Sequence, residues 1–197
     1  MKEIKLNKGF VALVDDEDYD SLMKYKWVAH KHRNTWYAYS SIYENAKRIG
    51  IKMHRIVMGA TKGMPDVDHE NGNGLDNQKS NLRFCTNSQN AQNRQRQKNG
   101  SSPYKGVSVY IVRGYHHKEK YNRNTERAMW LTSVKRWKAQ IMADGKVRHL
   151  GYFPFTPEGE IQAAQTYNEA AKKYFGEFAR LNNVPELPQE LKSTAEQ

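Results

Sequence analysis

Asp68 and His69 stand side by side at the end of a short apolar run, and two carboxamides, Asn81 and Asn90, follow 12 and 21 residues after the histidine. A carboxylate and an amide oxygen are hard ligands of the kind that Mg²⁺ takes, and a neutral imidazole can accept a proton from water near neutral pH. Hydrolysis of a phosphodiester needs an activated water, charge neutralisation at phosphorus and help for the leaving oxygen. This group of residues therefore predicts metal-dependent phosphodiester hydrolysis.

Asp68 and His69 are neighbours on a predicted strand, so their side chains point to opposite faces and cannot bind one ion together without distorting the strand. We therefore expect Asp68 to bind the metal with Asn90, and His69 to act as the general base. Asn93 lies nearly one helical turn beyond Asn90 and is a rival ligand. An Asp-His pair by itself is common, so the prediction depends on the whole set.

The charge balance indicates the partner. The chain has 197 residues and a formal net charge of +11, from 32 Lys and Arg against 21 Asp and Glu. Such an excess favours nucleic acid or, less often, an anionic membrane surface, through counterion release and electrostatic steering. A basic soluble protein without such a partner is the simpler alternative. Hydrophobic residues make up 38% of the chain, so its one or two domains must have small cores.

The sequence lacks the features of exported and membrane proteins. No apolar run approaches the roughly 18 residues that a membrane-spanning helix needs. The N-terminal residues lack the apolar core of a signal peptide. The single cysteine, Cys85, excludes an internal disulfide and a cysteine-based zinc knuckle. We therefore expect a cytoplasmic protein without a membrane partner.

Residues 1–50 contain short β-like runs rich in aromatic residues, and we expect them to support the segment that follows. The four acidic residues 15–18 lie between two of these runs, where carboxylates meet the positive end of a helix dipole, and so predict a helix start. A metal site at these acids is the alternative. The basic residues of this segment that we expect to contact phosphate are Lys24, Lys31 or Arg33.

Residues 51–98 hold the Asp68 and His69 pair. The apolar run 53–58 suits a short buried helix or strand, and 66–69 and 82–85 are predicted strands. Between those strands, residues 71–74 predict a loop, because Asn and Gly tolerate a positive φ angle.

A capped helix is predicted directly after the second strand. Thr86 provides an N-cap hydroxyl, and Gln89, three residues later, completes a capping box. The predicted helix, 87–97, is almost wholly polar. Since such a helix packs weakly by hydrophobicity, it must be held by metal, by DNA or by the strands around it.

Residues 99–103 form a polar linker to a pattern of three strands and a helix. The predicted strands are 106–110, 136–142 and 147–151, and Asp144-Gly145 is the hairpin turn between the last two. Alternation in the second strand places Trp137, Ala139 and Ile141 on one face and Lys138, Gln140 and Met142 on the other.

The long helix opens at Thr156 as N-cap, with Pro157 in its first turn, and ends at Gly176. Its predicted apolar face consists of Ile161, Ala164, Tyr167, Ala171 and Tyr174. Residues 183–197 are a polar tail. The whole pattern predicts an α+β protein, in which a strand–loop–strand–helix unit with a small β-rich N-terminal segment precedes a three-stranded antiparallel sheet packed on one helix.

The first half of the chain resembles the HNH endonucleases with the ββα-metal fold, of the phage and intron-homing type. The matching stretches are 53–57, 67–73, 75–77, 80–83 and 87–90. The resemblance implies that residues 51–98 are the nuclease unit and that His69 activates water. It also implies that Asn81 braces the loop behind His69 and that Asp68 and Asn90 bind the divalent ion.

The same resemblance implies cleavage of DNA to a 5′-phosphate and a 3′-hydroxyl, often as a single-strand nick. Other branches of the family have His where this chain has Asn90. Since that imidazole is missing, we expect Mg²⁺ or Mn²⁺ rather than Zn²⁺.

The second half, over about residues 103–182, resembles the AP2 DNA-binding domain, which plant transcription factors contain and which is also attached to phage HNH nucleases. The matching stretches are 104–107, 137–141, 149–153, 163–171 and 175–182. The resemblance implies a domain over 104–182 that lays a three-stranded sheet in the major groove, with the helix behind it. Plant members carry arginine where this chain has Ser108, so the base preference of the family does not carry over.

Within this domain, alternation assigns two sets of residues. The residues expected to face DNA are Lys105, Ser108, Tyr110, Lys138, Gln140 and His149. Parity leaves the face of Arg148 open, and a phosphate contact from the sheet edge is one interpretation. The residues expected to pack under the helix are Trp137, Ile141, Leu150 and Phe153.

Residues 111–134 depart from the AP2 pattern and lengthen the first hairpin. They include the basic and aromatic residues Arg113, Tyr115, His116, His117, Lys118, Lys120, Tyr121, Arg123, Arg127 and Trp130. A second arm that grips the DNA backbone and a solvated loop are both open interpretations of this insert.

The sequence thus predicts a sequence-directed DNA endonuclease of the homing or mobile-element kind. It is expected to act on double-stranded DNA, as a monomer, with a divalent metal and no small-molecule cofactor. A non-cleaving, sequence-specific DNA-binding regulator is the alternative, and an RNA-directed or structure-specific nuclease is a third possibility. The presence of Asp68, His69 and Asn90 together favours cleavage.

Overall fold

The computed structural model describes residues 1–96, 99–115 and 131–185. The chain divides into two compact units, Met1–Arg94 and Gln95–Gln197. Both contain small antiparallel sheets and few helices, so the expected mixture of helices and antiparallel strands is present. The predicted segment 1–50 and most of 51–98 lie together in the first unit.

The first unit contains three small sheets, three short α-helices and two 3-10 turns, Asn7–Gly9 and Lys79–Asn81. Its elements in chain order are β1 (Lys2–Lys5), β2 (Val11–Val14), α1 (Asp16–Leu22), β3 (Val28–His32), β4 (Thr35–Glu44), β5 (Lys47–Lys52), α2 (Met53–Val57), β6 (Asp66–His69), β7 (Leu82–Cys85) and α3 (Asn87–Gln92). Strands β1 and β2 pair, β3, β4 and β5 form an antiparallel sheet in that order, and β6 pairs with β7. The predicted strands 66–69 and 82–85 are confirmed, and the run at 53–58 is a helix.

One apolar cluster joins most of these elements. Its fully buried members include Val14 of β2, Leu22 of α1 and Met53 of α2, and Val67 and Leu82 bring in the β6–β7 hairpin. The cluster is small, as the composition predicts, and burial of apolar area is its main source of stability.

The acidic run at residues 15–18 begins α1, as predicted. The Asp15 carboxylate accepts a hydrogen bond from the backbone N–H of Lys79 at 2.7 Å. The Lys79 ammonium in turn forms ion pairs with Glu17 and Asp18, which raise its pKa. These carboxylates therefore connect α1 to the residues just before β7.

Helix α3 is shorter than predicted. It begins after the Thr86 N-cap, with the predicted capping box to Gln89 in place, and it ends at Gln92 rather than at residue 97. None of its residues is buried, so no apolar face holds a longer helix against the strands. The residue that follows, Asn93, is buried and ends the helix with its backbone.

The second unit is a three-stranded antiparallel sheet with one long helix. Its elements are β8 (Val107–Tyr115), β9 (Leu131–Ala143), β10 (Lys146–Pro154) and α4 (Pro157–Phe175), and the strand order is β10-β9-β8. Trp137, Ala139 and Ile141 of β9 are buried under α4, whereas Met142 is 59% exposed. The alternation predicted for β9 is therefore confirmed.

The predicted turn of the last hairpin and the predicted start and end of α4 are confirmed. Asp144 and Gly145 have positive φ angles of 53° and 71° in the turn between β9 and β10. The Thr156 hydroxyl accepts a hydrogen bond from the N–H of Gly159 at 3.1 Å and caps α4. Gly176 ends the helix with a φ of 54°.

The predicted apolar face of α4 is partly wrong. Tyr174 is 37% exposed, and Phe175 is buried in its place. The buried face runs through Ala163, Ala164, Tyr167, Ala170, Ala171 and Phe175. Four small alanines let the helix backbone lie close to the sheet, and this rotates Tyr174 out to the edge.

The outer parts of the insert 111–134 are paired strand. Strands β8 and β9 continue their register as far as Tyr115 and Leu131, so these ends extend the first hairpin. Residues 116–130, with most of the basic and aromatic residues of the insert, lie outside the described residues, as does the tail from 186 onward. Among the described helices, none has both the length and the apolar character needed to cross a bilayer.

A substitution at Gly106, just before β8, tests how closely α4 packs on the sheet. Its φ is +79°, and a Cβ there would lie 2.0 Å from Tyr167 Cδ2 and 2.8 Å from the carbonyl oxygen of Gln140. We expect Gly106→Ala to lower the free energy of unfolding by about 2–4 kcal/mol, from backbone strain and overpacking together. Denaturant titration measures the loss.

The matched control is Gly145→Ala, whose φ is +71° but whose Cβ would meet nothing within 4 Å. It should lower the free energy of unfolding by only about 1–2 kcal/mol. Equal losses in the two variants would contradict the close approach of α4 at Gly106.

Candidate active site

The β6–β7 hairpin positions the central pair of residues. Asp68 is opposite Arg83 and His69 is opposite Leu82 in the antiparallel register. Since neighbouring residues of a strand point to opposite faces, Asp68 faces α3, and His69 faces the interior near β4 and α2. Both are nearly buried, with relative exposures of 8% and 4%.

The Asp68 carboxylate is held through one of its two oxygens. Oδ2 accepts hydrogen bonds from Asn93 Nδ2 at 2.8 Å and from Arg83 Nη2 at 3.3 Å. Within the described ranges, no donor reaches Oδ1. The carboxylate is therefore fixed in orientation through Oδ2, and among the described residues Oδ1 has no donor.

Asn93, and not Asn90, makes the contact with Asp68. The Asn93 side-chain nitrogen also donates to the backbone carbonyls of His69 at 2.9 Å and Glu70 at 3.3 Å. Asn90 is half-buried one turn earlier on α3, and its amide has no hydrogen-bond partner among the residues that the structure describes. Convergence of Asp68 and Asn90 on one cation remains a prediction.

The available donors suit a hard cation. In the described part of the chain, no three His, Cys, Asp or Glu residues are grouped as metal ligands usually are. A cation beside Asp68 would have to take oxygen from the carboxylate, from the amides of α3, from water or from a phosphate. Such an all-oxygen set fits Mg²⁺ or Mn²⁺ and does not fit a zinc site built on imidazole or thiolate.

His69 is oriented by a buried amide that the sequence analysis did not single out. Its Nε2 lies 3.3 Å from Oδ1 of Asn77, which is fully buried. The Asn77 amide is itself fixed, because its Nδ2 donates to the carbonyl of Leu75 at 3.2 Å and its backbone N–H donates to the carbonyl of Leu13 at 2.8 Å. An amide oxygen only accepts, so Nε2 carries the proton and Nδ1 carries the lone pair.

The Nδ1 lone pair of His69 has no hydrogen-bond partner among the described residues. Burial lowers the pKa of His69, and the Asn77 hydrogen bond opposes that shift only in part. The imidazole is therefore neutral near pH 7, which is the form that a general base requires.

Two further rings surround His69. The centroid of His54, from α2, lies 4.8 Å from that of His69 at an interplanar angle of 85°, and Tyr37, from β4, lies 5.8 Å away. Burial lowers the pKa of His54 to about 2. It also raises the pKa of Tyr37. Both rings are therefore neutral packing partners that limit the motion of the His69 ring.

Asn81 braces the loop between β6 and β7. Its Oδ1 accepts from the N–H of Asn71 at 3.0 Å, and its Nδ2 donates to the carbonyl of Asp76 at 2.8 Å. Gly74 lies against β4 in the same loop, where a Cβ would be 2.4 Å from the carbonyl oxygen of Trp36. The loop therefore depends on side-chain amides within it and on close backbone packing outside it.

The second unit presents most of the predicted DNA-facing residues on one face. Ser108, Tyr110, Lys138, Gln140 and His149 share the face of the sheet opposite α4, because Ser108 pairs with Lys138 and His149 pairs with Gln140. An exposed group of rings lies on this face, with centroid distances of 4.8 Å between Tyr110 and Tyr152 and 4.3 Å between Tyr152 and His149.

Arg148 and Lys105 lie apart from this group of rings, and their contact with DNA remains a prediction. Arg148 pairs with the buried Ile141, so it lies on the helix side, where it binds Asp144 at 2.9 Å and stacks on Tyr174 at 4.9 Å. Lys105 precedes β8 and is half-buried, and burial lowers its pKa to about 8. Neither residue belongs to the exposed face of the sheet.

Comparison with known proteins defines the class. The chain is 31% identical over 182 residues to a protein of Acanthamoeba polyphaga mimivirus named as an uncharacterized HNH endonuclease, and the alignment covers 90% of this chain and 77% of that protein. No family model matches the chain, and no solved structure matches it. The extent and identity of the viral match show that the chain belongs to the HNH endonuclease family.

The orientation of His69 can be tested by NMR on histidine labelled with ¹⁵N. We expect the neutral tautomer with the proton on Nε2 at pH 7, because Asn77 Oδ1 accepts from that nitrogen. Asn77→Leu should abolish this preference and lower the free energy of unfolding by about 1–3 kcal/mol, since it leaves a buried N–H unpaired.

Gln78→Leu is the control, because the Gln78 amide faces Asp15 rather than His69. It should leave the tautomer unchanged. A wild-type His69 with its proton on Nδ1 would show that Asn77 does not orient the ring.

Proposed function

We propose that this HNH family member is a DNA endonuclease that uses one divalent metal ion, with His69 as general base and Asp68 as metal ligand. The observation that carries the proposal is the pair of opposed faces at the end of β6. On one face, Asn93 and Arg83 hold Oδ2 of Asp68, and no described residue donates to Oδ1. On the other, Asn77 accepts the Nε2 proton of His69 and so leaves the lone pair on Nδ1.

In the proposed mechanism, Nδ1 of His69 accepts a proton from the attacking water. Asn77 keeps the ring in the tautomer that has its lone pair on Nδ1. His54 and Tyr37 restrict the ring from two sides. A divalent cation bound at Asp68 would supply positive charge to the scissile phosphate and the leaving oxygen.

We assign Asn90 as the second metal ligand and Asn93 as a clamp. The nitrogen of the Asn93 amide faces Asp68 and donates hydrogen bonds to Asp68, His69 and Glu70. Turning the amide so that its oxygen faced a cation beside Asp68 would break these three hydrogen bonds. The Asn90 amide has no hydrogen bond to a described residue that it would lose on binding a cation. Asn90 can therefore bind a cation at the lower energetic cost.

Nicking of supercoiled plasmid tests the catalytic assignment. Wild type should nick with Mg²⁺ or Mn²⁺ and not with a chelator, and His69→Ala should lower kcat by about 10²–10⁴-fold, the usual contribution of a general base. Tight, site-specific binding without any metal-dependent cut would instead support a non-cleaving regulator.

Paired substitutions distinguish the proposed roles of Asn90 and Asn93. Asn90→Ala should raise the metal concentration for half-maximal nicking by at least about tenfold without changing thermal stability. Asn93→Ala should mainly lower the free energy of unfolding, by about 1–3 kcal/mol, because it removes the hydrogen bonds that the Asn93 amide donates to the buried Asp68 carboxylate and to the carbonyls of His69 and Glu70. The reverse pattern would make Asn93 the ligand.

We further propose that the second unit is an AP2-like module that directs the nuclease to its site, as in a homing or mobile-element nicking enzyme. The support is the exposed face of β8, β9 and β10. It carries Lys138 and Gln140 at its centre and Arg136 beside Tyr110, and these side chains provide donors for phosphates and base edges.

Binding of the full chain to a duplex selected from a random library tests this module. Gln140→Ala should remove about 1–3 kcal/mol of discrimination at one base pair, as loss of a base-edge contact does. Arg148→Ala removes a larger and charged side chain from the helix side and should leave the base preference unchanged. Equal effects of the two variants would exclude the exposed face as the reading surface.

A further inference from the structure

A basic groove lies on the first unit, apart from the Asp68 and His69 pair. Two lysines and an arginine line it together with three rings, and no Asp or Glu is among its lining residues. The side chains that matter here are Lys24, Lys26, Arg48, Tyr25, Tyr39 and His30. Three cations without a carboxylate form a site for a polyanion.

The floor of the groove is built by the β3–β4–β5 sheet. Tyr39 of β4 lies beside His30 of β3, with ring centroids 5.4 Å apart. Its ring extends over Gly50 of β5, where a Cβ would lie within 1.8 Å of the Tyr39 hydroxyl oxygen. Arg48 is held at the rim by a hydrogen bond from Nε to Ser41 Oγ at 3.0 Å. The arrangement is therefore ordered by contacts within the sheet.

One side of the groove shares a face of this sheet with the contacts to His69, because Tyr39 lies on that face, whereas Ser40 and Ile42 of the lining lie on the other. Tyr37 and Tyr39 are two residues apart on β4, so their side chains point the same way, about 7 Å apart along the strand. Tyr37 contacts the rings of His69 and His54 at 5.8 and 5.7 Å between centroids. A strand of DNA in the groove would thus run toward His69.

Three acidic residues of the first unit have basic partners or neighbours outside the groove. Glu17 and Asp18 of α1 are paired with Lys79, and Glu44 is opposite Lys47 at the far end of the β4–β5 pair.

We infer that this groove binds the sugar–phosphate backbone of the DNA strand that enters the active site, so that the nuclease unit makes a DNA contact of its own. The inference rests on the proposed function and extends it. Lysine and arginine would neutralise phosphates, and the hydroxyls of Ser41, Tyr25 and Tyr39 would donate to phosphate oxygens. Lys31, a candidate from sequence, lies on the opposite face of the sheet, over Trp36.

Salt dependence of DNA binding tests the groove. A fluorescein-labelled duplex derived from plasmid DNA is titrated with the full chain in the presence of a chelator, at several salt concentrations. In the triple variant Lys24→Gln, Lys26→Gln, Arg48→Gln, the slope of log K against log salt should become shallower by about 2–3, since each phosphate contact contributes about 0.9. With Mg²⁺, KM for plasmid nicking should rise at least about tenfold with kcat unchanged.

The matched control is Lys2→Gln, Lys5→Gln, Lys62→Gln, which removes the same charge from positions outside the groove lining. Its slope should stay close to wild type. A second variant, Arg48→Glu, should weaken binding more than Lys62→Glu. Equal slopes for the two triple variants, or equal binding by the two single variants, would overturn the inference.

The outcomes distinguish this inference from the proposed function. If wild type fails to nick any DNA but the groove triple variant still has a shallower salt slope, the proposed endonuclease activity is wrong and the inferred DNA-binding groove is supported. If wild type nicks DNA and the groove variants match their controls, the nuclease stands and the groove inference is wrong.

Discussion

The site depends on one constraint, which is that neighbouring side chains of a β-strand point to opposite faces. At the end of β6 this rule separates Asp68 from His69, and each is then fixed by a different asparagine. Asn93 holds the carboxylate from the α3 side, and Asn77 holds the imidazole from the interior. A metal ligand and a base that shared one face would compete for the same cation. The strand therefore provides two chemical functions in adjacent residues without such competition.

The remainder of the first unit supports this arrangement through backbone contacts. Strand β2 hydrogen-bonds to the loop between β6 and β7 through Leu13, whose N–H donates to Leu75 and whose carbonyl accepts from Asn77. Gly74 packs against β4 with no room for a side chain. The N-terminal strands thus determine the position of Asn77 and, through it, the tautomer of His69. This explains why a polar loop with little apolar surface can hold a buried histidine in one orientation.

Much of the architecture was predictable from sequence because it depends on local patterns. The Thr86 and Thr156 caps, the Asp144-Gly145 turn, the β6 and β7 strands and the alternation of β9 are all present. Each is decided by residues within a few positions of one another. The errors have equally physical causes. Helix α3 stops early because no apolar face holds it, and Tyr174 faces outward because alanines bring α4 close to the sheet.

The sequence by itself determined that Asp68 and His69 occupy one strand on opposite faces, that an amide-bearing helix follows, and that the chain carries an excess of positive charge. Only the tertiary structure decided that Asn93 rather than Asn90 contacts Asp68, that Asn77, His54 and Tyr37 surround His69, and that Arg148 packs on the helix side. Spacing along the chain sets the face on which a side chain lies. Which distant side chains meet there depends on how sheets and helices pack, because contacts between residues far apart in sequence are chosen by shape and burial.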